Sequence, residues 1–429
     1  MKQLFNLLMV AAICGSPAHA ATAGDTTILR AAKIYTAPDA QPIDNGVIVM
    51  REGRIAQVGT KEATEAPPGS AQTNCNGGVV TAGFQNSHVH FTESKWEQAA
   101  DQKAAQLAKN LAAMLTRYGF TTVVDTASDV DNTVALRKRI EKGEVPGPRI
   151  LTAGWALYPP NGIPFYLKSM PPEVLKQLRQ PASADEALSD LRENFKRGAD
   201  LTKLFIATPQ ADNTIKYMPP AIAKAAVVET HRRSRLVFAH PTDVQGIRAA
   251  MAAGVDVLAH TTLGNQKLLW EPDLVQEMIT HDIAVIPTLK LWRYEMTKGH
   301  VPEKSITLAV GDTLQQLQVF SEAGGQVLFG TDVGYMTDYD PTDEYVLMLK
   351  AGLTSMQILA SLTTAPAARF KEDDRRGRIA PGMDADLVVL DADPAQDIRN
   401  FAKARCVFRG GLPIYTAPAA SPAGNSGRR

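Results

Sequence analysis

Six side chains in this sequence have the types and positions to do metal chemistry: His88 and His90 in Ser-His-Val-His-Phe, then Lys203, His240, His260 and Asp332. Each stands near the end of a short apolar run. A His-x-His pair brings two imidazoles to one point only where a strand ends and the chain turns, and Gly83 upstream with Thr92–Lys95 downstream suits such a turn. By itself the pair is also what an ordinary polar strand end looks like. The histidines of Val-Phe-Ala-His-Pro (237–241) and Val-Leu-Ala-His-Thr (257–261), with Asp332 in Phe-Gly-Thr-Asp-Val, change that reading. Each follows a run that reads as a buried parallel strand, so each side chain emerges at a strand C-terminus, where barrel enzymes keep their chemistry. His231, His281 and His300 lie in polar or helix-end settings and are read as ordinary histidines.

Lys203 is flanked by Leu201, Leu204, Phe205 and Ile206. Burial disfavours an ammonium and lowers its pKa, and a neutral amine can add carbon dioxide to become an anionic, two-oxygen carbamate ligand. A strand-end lysine reaching back to solvent is the alternative that the residues alone leave open.

The elements that must position these groups alternate between apolar runs and helical stretches, the pattern of βα units. Strands are expected near Val79–Gly83, Thr121–Thr126, Arg149–Gly154, Leu201–Ile206, Leu236–Ala239, Val255–Ala259, Ile283–Thr288 and Gln326–Gly330, with helices at Trp96–Tyr118 and Ser183–Arg197. Eight strands fit an α/β fold of the TIM-like (β/α)8 barrel type. An open doubly wound sheet is disfavoured, because no glycine-rich phosphate loop follows any strand. Short strands with glycine turns at Thr26–Thr60, and again after Lys371, suggest a small β-sandwich domain. The expected organisation is a signal peptide over 1–20, a first part of the sandwich over 21–78, the barrel over 79–370, the second part of the sandwich over 371–416 and a disordered Ala/Pro/Ser/Gly-rich tail over 417–429.

With 429 residues and 45% hydrophobic content the chain can bury a large core. Its 45 basic and 45 acidic residues cancel, so no charge excess points to nucleic acid or to an anionic membrane, and the partner is expected to be a small molecule. A homo-oligomer is compatible with this composition. Lys2, the apolar Leu4–Ile13 run and Ala18-His-Ala20 have the form of a cleavable export signal, which places the mature chain in the periplasm or outside the cell after cleavage near Ala20. That run is too short to anchor stably in a bilayer. Anchoring through Cys14 is the rival, disfavoured by the bulky Ile13 before it. Of the remaining cysteines, Cys75 and Cys406 either bridge or stay as two buried thiols.

At this point the chain resembles the amidohydrolase superfamily of metal-dependent hydrolases, most of all the binuclear branch that includes imidazolonepropionase-like amidohydrolases and Xaa-Pro dipeptidases. The likeness runs through Val79–Phe91, Gly198–Phe205, the two later histidine segments, Ile286–Leu289, Gly330–Gly334, Thr363–Phe370 and Gly377–Leu390. The resemblance implies that both chain ends meet in one domain. It also implies two divalent metal ions, zinc by ligand type: His88, His90 and Asp332 on the more buried ion, His240 and His260 on the more exposed one, and carboxylated Lys203 bridging both. Asp332 would be the catalytic proton acceptor beside a metal-bridging hydroxide. The branch usually has Asp where Asn86 stands, two residues before the first histidine, so metal affinity is expected to differ somewhat.

The function so implied is hydrolysis of an amide bond, in a dipeptide or an N-acyl amino acid. Trp155, Tyr158, Lys290, Arg293 and Tyr294 are the expected substrate contacts, with a basic residue on the strand-seven loop holding a free carboxylate. The alternatives are a mononuclear deaminase or cyclic-amide or lactone hydrolase, and a catalytically inactive binding or assembly protein.

Overall fold

The computed structural model describes residues 26–64, 67–170, 172–263 and 270–418. The expected export signal and residues 419–429 of the expected tail lie outside the described residues.

The N-terminal segment forms β1 (Thr26–Ile34), β2 (Ile43–Arg51), β3 (Arg54–Thr60), β4 (Ala71–Gln72) and β5 (Val79–Ala82). Strands β6 (Phe84–Val89), β7 (Phe120–Asp125), β8 (Arg149–Thr152) and β9 (Thr202–Phe205) follow, then a hairpin of β10 (Ala207–Pro209) and β11 (Ile215–Tyr217). The chain continues through β12 (Val237–His240), β13 (Val257–Ala259), β14 (Ala284–Ile286) and β15 (Gln326–Val327), and ends with β16 (Leu387–Leu390), β17 (Ala404–Arg409) and β18 (Leu412–Thr416).

Outside the hairpin, β6 to β15 pair only in parallel, as a three-stranded sheet β6-β7-β8 and a five-stranded sheet β15-β14-β13-β12-β9. Backbone hydrogen bonds also cross between the two sheets at both of their edges. Leu157 N–H donates to Lys203 O (3.0 Å) and Phe205 N–H to Leu157 O (2.8 Å) on one side; Ser87 N–H donates to Phe329 O (2.7 Å) on the other. Residues from strands across the array, among them Val124, Leu151, Phe238, Val257, Ile286 and Leu328, share one apolar cluster. Helices such as Ala104–Met114, Ala184–Arg197 and Val244–Ala253 turn their apolar residues onto the larger core.

Both chain ends meet in one eight-stranded sheet, order β18-β17-β16-β5-β1-β2-β3 with β4 beside β1. One face of it, with Leu29, Ile48, Val80, Leu387, Val389 and Phe408, packs on itself. The other face of its middle strands, through Val388, Leu390 and Val407, joins the main core. Cys75 and Cys406 form a disulfide across 331 residues of chain and tie the two ends together. Closing so long a loop restricts the unfolded chain and favours the folded one.

Two expected elements move. Val79–Ala82, read as the first barrel strand, pairs with β1 and β16 in the chain-end sheet, and the first parallel strand is Phe84–Val89. Gly83 divides them: its N–H is held by Asp386 O (2.8 Å), and a Cβ there would lie 2.2 Å from Thr121 Oγ1. The helix expected over Trp96–Tyr118 is confined to Ala104–Met114, with short 3-10 turns at Ser94–Trp96 and Thr116–Tyr118. The helix after Ser183 forms as expected, with Ser183 Oγ accepting from Glu186 N–H (3.2 Å) and Gly198 ending it in the left-handed conformation. Among the described residues no helix is long and apolar enough to cross a membrane.

Candidate metal centre

Strand alternation puts His88 and His90 on one side of the end of β6, their ring centroids 5.2 Å apart. Asp332 arrives beyond β15, its N–H bonded to His88 O (2.9 Å) and its Oδ1 2.9 Å from His90 Nε2 and 3.3 Å from His88 Nε2. That approach needs bare backbone on either side of the aspartate. A Cβ on Gly330 would stand 2.9 Å from His88 Cβ, and one on Gly334 only 1.8 Å from His90 O. His260 follows β13, with its ring 4.8 Å from that of His88 and 4.9 Å from that of His240 at the end of β12. His260 and Asp332 both hold positive φ, 77° and 59°, backbone strain of the kind that collects at functional sites. Donor atoms of His88, His260 and Asp332 all lie within 4.8 Å of one another.

Lys203 sits in β9 beside β12, 2% exposed. Burial pulls its ammonium down to about 7, so the neutral amine is well populated. Burial also pushes His88 down to about 4, His240 down to about 3 and His260 well below the usual range. These are neutral imidazoles, the form that ligates metals. For His90 burial acts downward too, but the Asp332 carboxylate outweighs it and the ring ends above its ordinary value. Asp332 in turn is held far below the carboxylate range: burial opposes this, and the paired rings of His88 and His90 prevail.

The outer contacts fix the rings. His90 Nδ1 lies 2.9 Å from Ala127 O, and His260 Nδ1 lies 2.6 Å from Thr288 Oγ1, which turns each opposite nitrogen toward the cluster. Asn86 accepts from His88 N–H and Thr331 N–H (both 3.2 Å) and donates to Thr331 Oγ1 (2.7 Å), stitching β6 to the segment that carries Asp332. Buried Asp125, near His90, takes hydrogen bonds from Ser128 and Thr152 (both 2.6 Å). Sequence reasoning missed Asp125 and Thr288; the signal for the first was a charged residue closing the run Thr-Thr-Val-Val.

His88 Nδ1 and Lys203 Nζ are buried with no hydrogen-bond partner among the described residues, and Asp332 Oδ1 faces only the rings of His88 and His90. Buried polar atoms are nearly always satisfied. Neutral imidazoles, a carboxylate and an amine left open around one point are a donor set that fits divalent cations.

A cavity of about 1100 Å³ opens onto the cluster. Of the expected substrate contacts, Trp155 and Tyr158 line it, Tyr158 stacking on Phe205, whose ring stacks in turn on His240. Lys290, Arg293 and Tyr294 do not line it. The expected strand-seven loop is a helix, Leu289–Lys298, so neighbouring residues face different ways. Lys290 Nζ is taken up by Asp338 Oδ2 (2.7 Å) and Asp340 O (2.7 Å), and Arg293 pairs with Glu303 (2.9 Å) at the surface. Trp292 and Glu295 from this helix enter the cavity wall instead.

Residues 79–411 match the amidohydrolase family, and the chain belongs to it. It is a hydrolase of carbon–nitrogen bonds. The ochratoxinase of Aspergillus niger is 24% identical to it, over 91% of this chain and 87% of that protein. The crystal structure of a Xaa-Pro dipeptidase with bound methionine covers 91% of this chain and 100% of its own, at a TM-score of 0.76 and 22% identity. That of A. niger ochratoxinase gives 0.75 at 20% identity, over 91% of this chain and 96% of its own. The chain shares the fold of these proteins.

Proposed function

We propose that the mature chain is an exported enzyme that hydrolyses an amide bond at a pair of divalent metal ions. Its scaffold in this reading is a (β/α)8 barrel that begins at Phe84 rather than at 79 and runs to 370, carrying a β-sandwich made from the chain segments on either side of it. Support for the barrel comes from eight parallel strands with backbone hydrogen bonds at both edges between their two sheets. The disulfide, which an oxidising compartment preserves, supports export.

The observation that carries the metal reading is the convergence of four histidines, Lys203 and Asp332, with Lys203 Nζ buried and unpartnered among the described residues. His88, His90 and Asp332 would hold one ion, His240 and His260 the other, and carboxylated Lys203 would stand between them. Divalent ions so held, zinc by ligand type, supply Lewis acidity and acidify a water. Asp332, kept ionised by its histidine neighbours, takes the proton from the attacking water and hands it to the leaving nitrogen. The water oxygen bonds to the carbonyl carbon, the carbon–nitrogen bond breaks, and the amine departs protonated. No side-chain nucleophile is required.

The likeness to a Xaa-Pro dipeptidase supports a dipeptide-sized substrate. A free carboxylate on it would not meet Lys290 or Arg293, which are bound elsewhere. The aromatic walls favour a compact aromatic amide.

Metal analysis and ¹³C NMR of enzyme equilibrated with labelled bicarbonate test this reading together. Two ions per chain, a carbamate resonance, and amide hydrolysis lost on chelation and restored by zinc are expected. One ion and no carbamate signal would return the site to a mononuclear hydrolase.

A further inference from the structure

The cavity beside the cluster has a one-sided charge. Its described lining includes the carboxylates of Glu93, Glu97, Asp129, Asp243 and Glu295 in addition to Asp332, while its only described lysine or arginine is Lys203. Most of these carboxylates are occupied. Glu93 is held by Lys95 (2.7 Å) and Tyr339, and Asp129 and Asp243 cap the helices Val130–Glu141 and Val244–Ala253. Glu295 differs: its Oε1 is buried and without a hydrogen-bond partner. The nearest ammonium, Lys298 Nζ, stays 3.7 Å away, beyond hydrogen-bonding reach, over the Tyr335 ring.

The surroundings of Glu295 are aromatic. It lies one helical turn beyond Trp292, whose ring is 6.0 Å from that of His260. Tyr335, three residues after Asp332, packs edge-on against Tyr166 at 5.9 Å, and both line the same cavity. A carboxylate framed by indole and phenol rings is a cation-binding arrangement, and Lys298, itself largely exposed, is a cation already drawn to it that a substrate cation would displace. An anion in the same place meets the carboxylate's repulsion, which the long, exposed Lys298 pair offsets only in part.

We propose that Glu295, flanked by Trp292, Tyr335 and Tyr166, recognises a cationic group on the substrate, so that the enzyme selects aromatic amides bearing an ammonium or guanidinium over those bearing a free carboxylate. The proposal rests on the amide-hydrolase reading above and adds the charge of the substrate to it.

Three benzamides that differ in one terminal group test it: N-(2-aminoethyl)benzamide, N-(2-hydroxyethyl)benzamide and N-benzoylglycine. Binding to the zinc-loaded enzyme is read by quenching of tryptophan fluorescence, since Trp155 and Trp292 line the cavity, and kcat/KM is measured in parallel. The expected order is cation, neutral, anion, with about tenfold between cation and anion, the scale of one charge-assisted contact. Glu295→Gln is expected to raise KM for the cation about tenfold, and Glu295→Lys to put the anion first, by the same scale. Benzoylglycine binding to the wild-type enzyme as tightly as the aminoethyl amide, or an order unchanged in Glu295→Gln, would overturn the proposal. The wild-type series decides even if a variant fails to fold. Should the binding order hold while none of the three amides is cleaved, the assignment of Glu295 stands and the amide-hydrolase reading fails.

Discussion

The two ends of the same parallel strands treat charge in opposite ways. At the N-terminal ends several charged groups stand in tight pairs. Arg149, which opens β8, holds both oxygens of Glu372 (2.9 and 2.5 Å), and Arg369 spans Asp282 (3.1 and 3.2 Å) and Gln326 (2.6 Å). Asp256 accepts from Val237 N–H (2.6 Å) and pairs with His231 (2.9 Å). At the C-terminal ends Lys203 Nζ and His88 Nδ1 are buried and open among the described residues, and Asp332 Oδ1 faces only the rings of His88 and His90. Both ends border cavities, of about 590 and 1100 Å³. Cavity size therefore does not mark the site; what sets the C-terminal ends apart is that side chains of metal-ligand type converge there on one point, some of their polar atoms buried and open.

Removing Lys203 should break the comparison most severely. With Ala there, the group that would join the two ions is gone, and turnover is expected to fall on the order of 10³–10⁵-fold with loss of at least one metal per chain. Wild-type metal content and rate in that variant would show that the open amine is incidental. Asp332→Asn is milder for the metal, because an amide oxygen still approaches a cation, but it cannot accept a proton. A loss on the order of 10²–10⁴ in kcat with most metal retained is expected. A rate within about threefold of wild type would move the proton transfer to another group.

The opposite end should fail in the opposite sense. Arg149→Ala leaves Glu372 with only Arg376 and is expected to cost about 1–2 kcal/mol of stability, typical of a partly buried bidentate pair. Calorimetry should record a lower Tm while metal content and KM stay as in the wild type. A change in metal content without a change in Tm would mean that the two ends are coupled in a way the structure does not suggest.

How much of this was legible in the sequence follows from how local each signal is. That the four histidines and Asp332 would cluster was legible because each stands at or near the end of an apolar run, and parallel strands deliver their last residues to one end of the sheet. Lys203 stood out as a charge inside such a run. Val79–Ala82 was assigned to the wrong sheet because all four residues are buried, so the run carries no alternation to say which neighbours it has. The helix Leu289–Lys298 was read as a loop for a different reason. Its cap residue Thr288 has φ 43° and makes no side-chain cap, and the acceptor for its first N–H groups is buried Glu344, which takes Leu289 N–H (2.9 Å) and Lys290 N–H (2.8 Å) from far along the chain. A start signal supplied by tertiary contact cannot be read from local spacing. Trp292 and Glu295 were lost with it.

The smallest expected effect tests that last point. As a loop residue Arg293 would reach a substrate carboxylate, and Arg293→Ala would raise KM markedly. On the helix its side chain is half exposed, pairs with Glu303 and is absent from the described cavity lining. Exposed pairs of this kind contribute about 0–1 kcal/mol, so KM, kcat and metal content should all stay within about twofold of wild type. Glu295 lies two residues further along the same helix, a rotation of about 200°, which carries it from Arg293's side to the cavity wall. Measured on one substrate, a KM that moves with Glu295→Gln and not with Arg293→Ala follows from the helix. A KM that moves with Arg293→Ala and not with Glu295→Gln would restore the loop, and with it a carboxylate-bearing substrate.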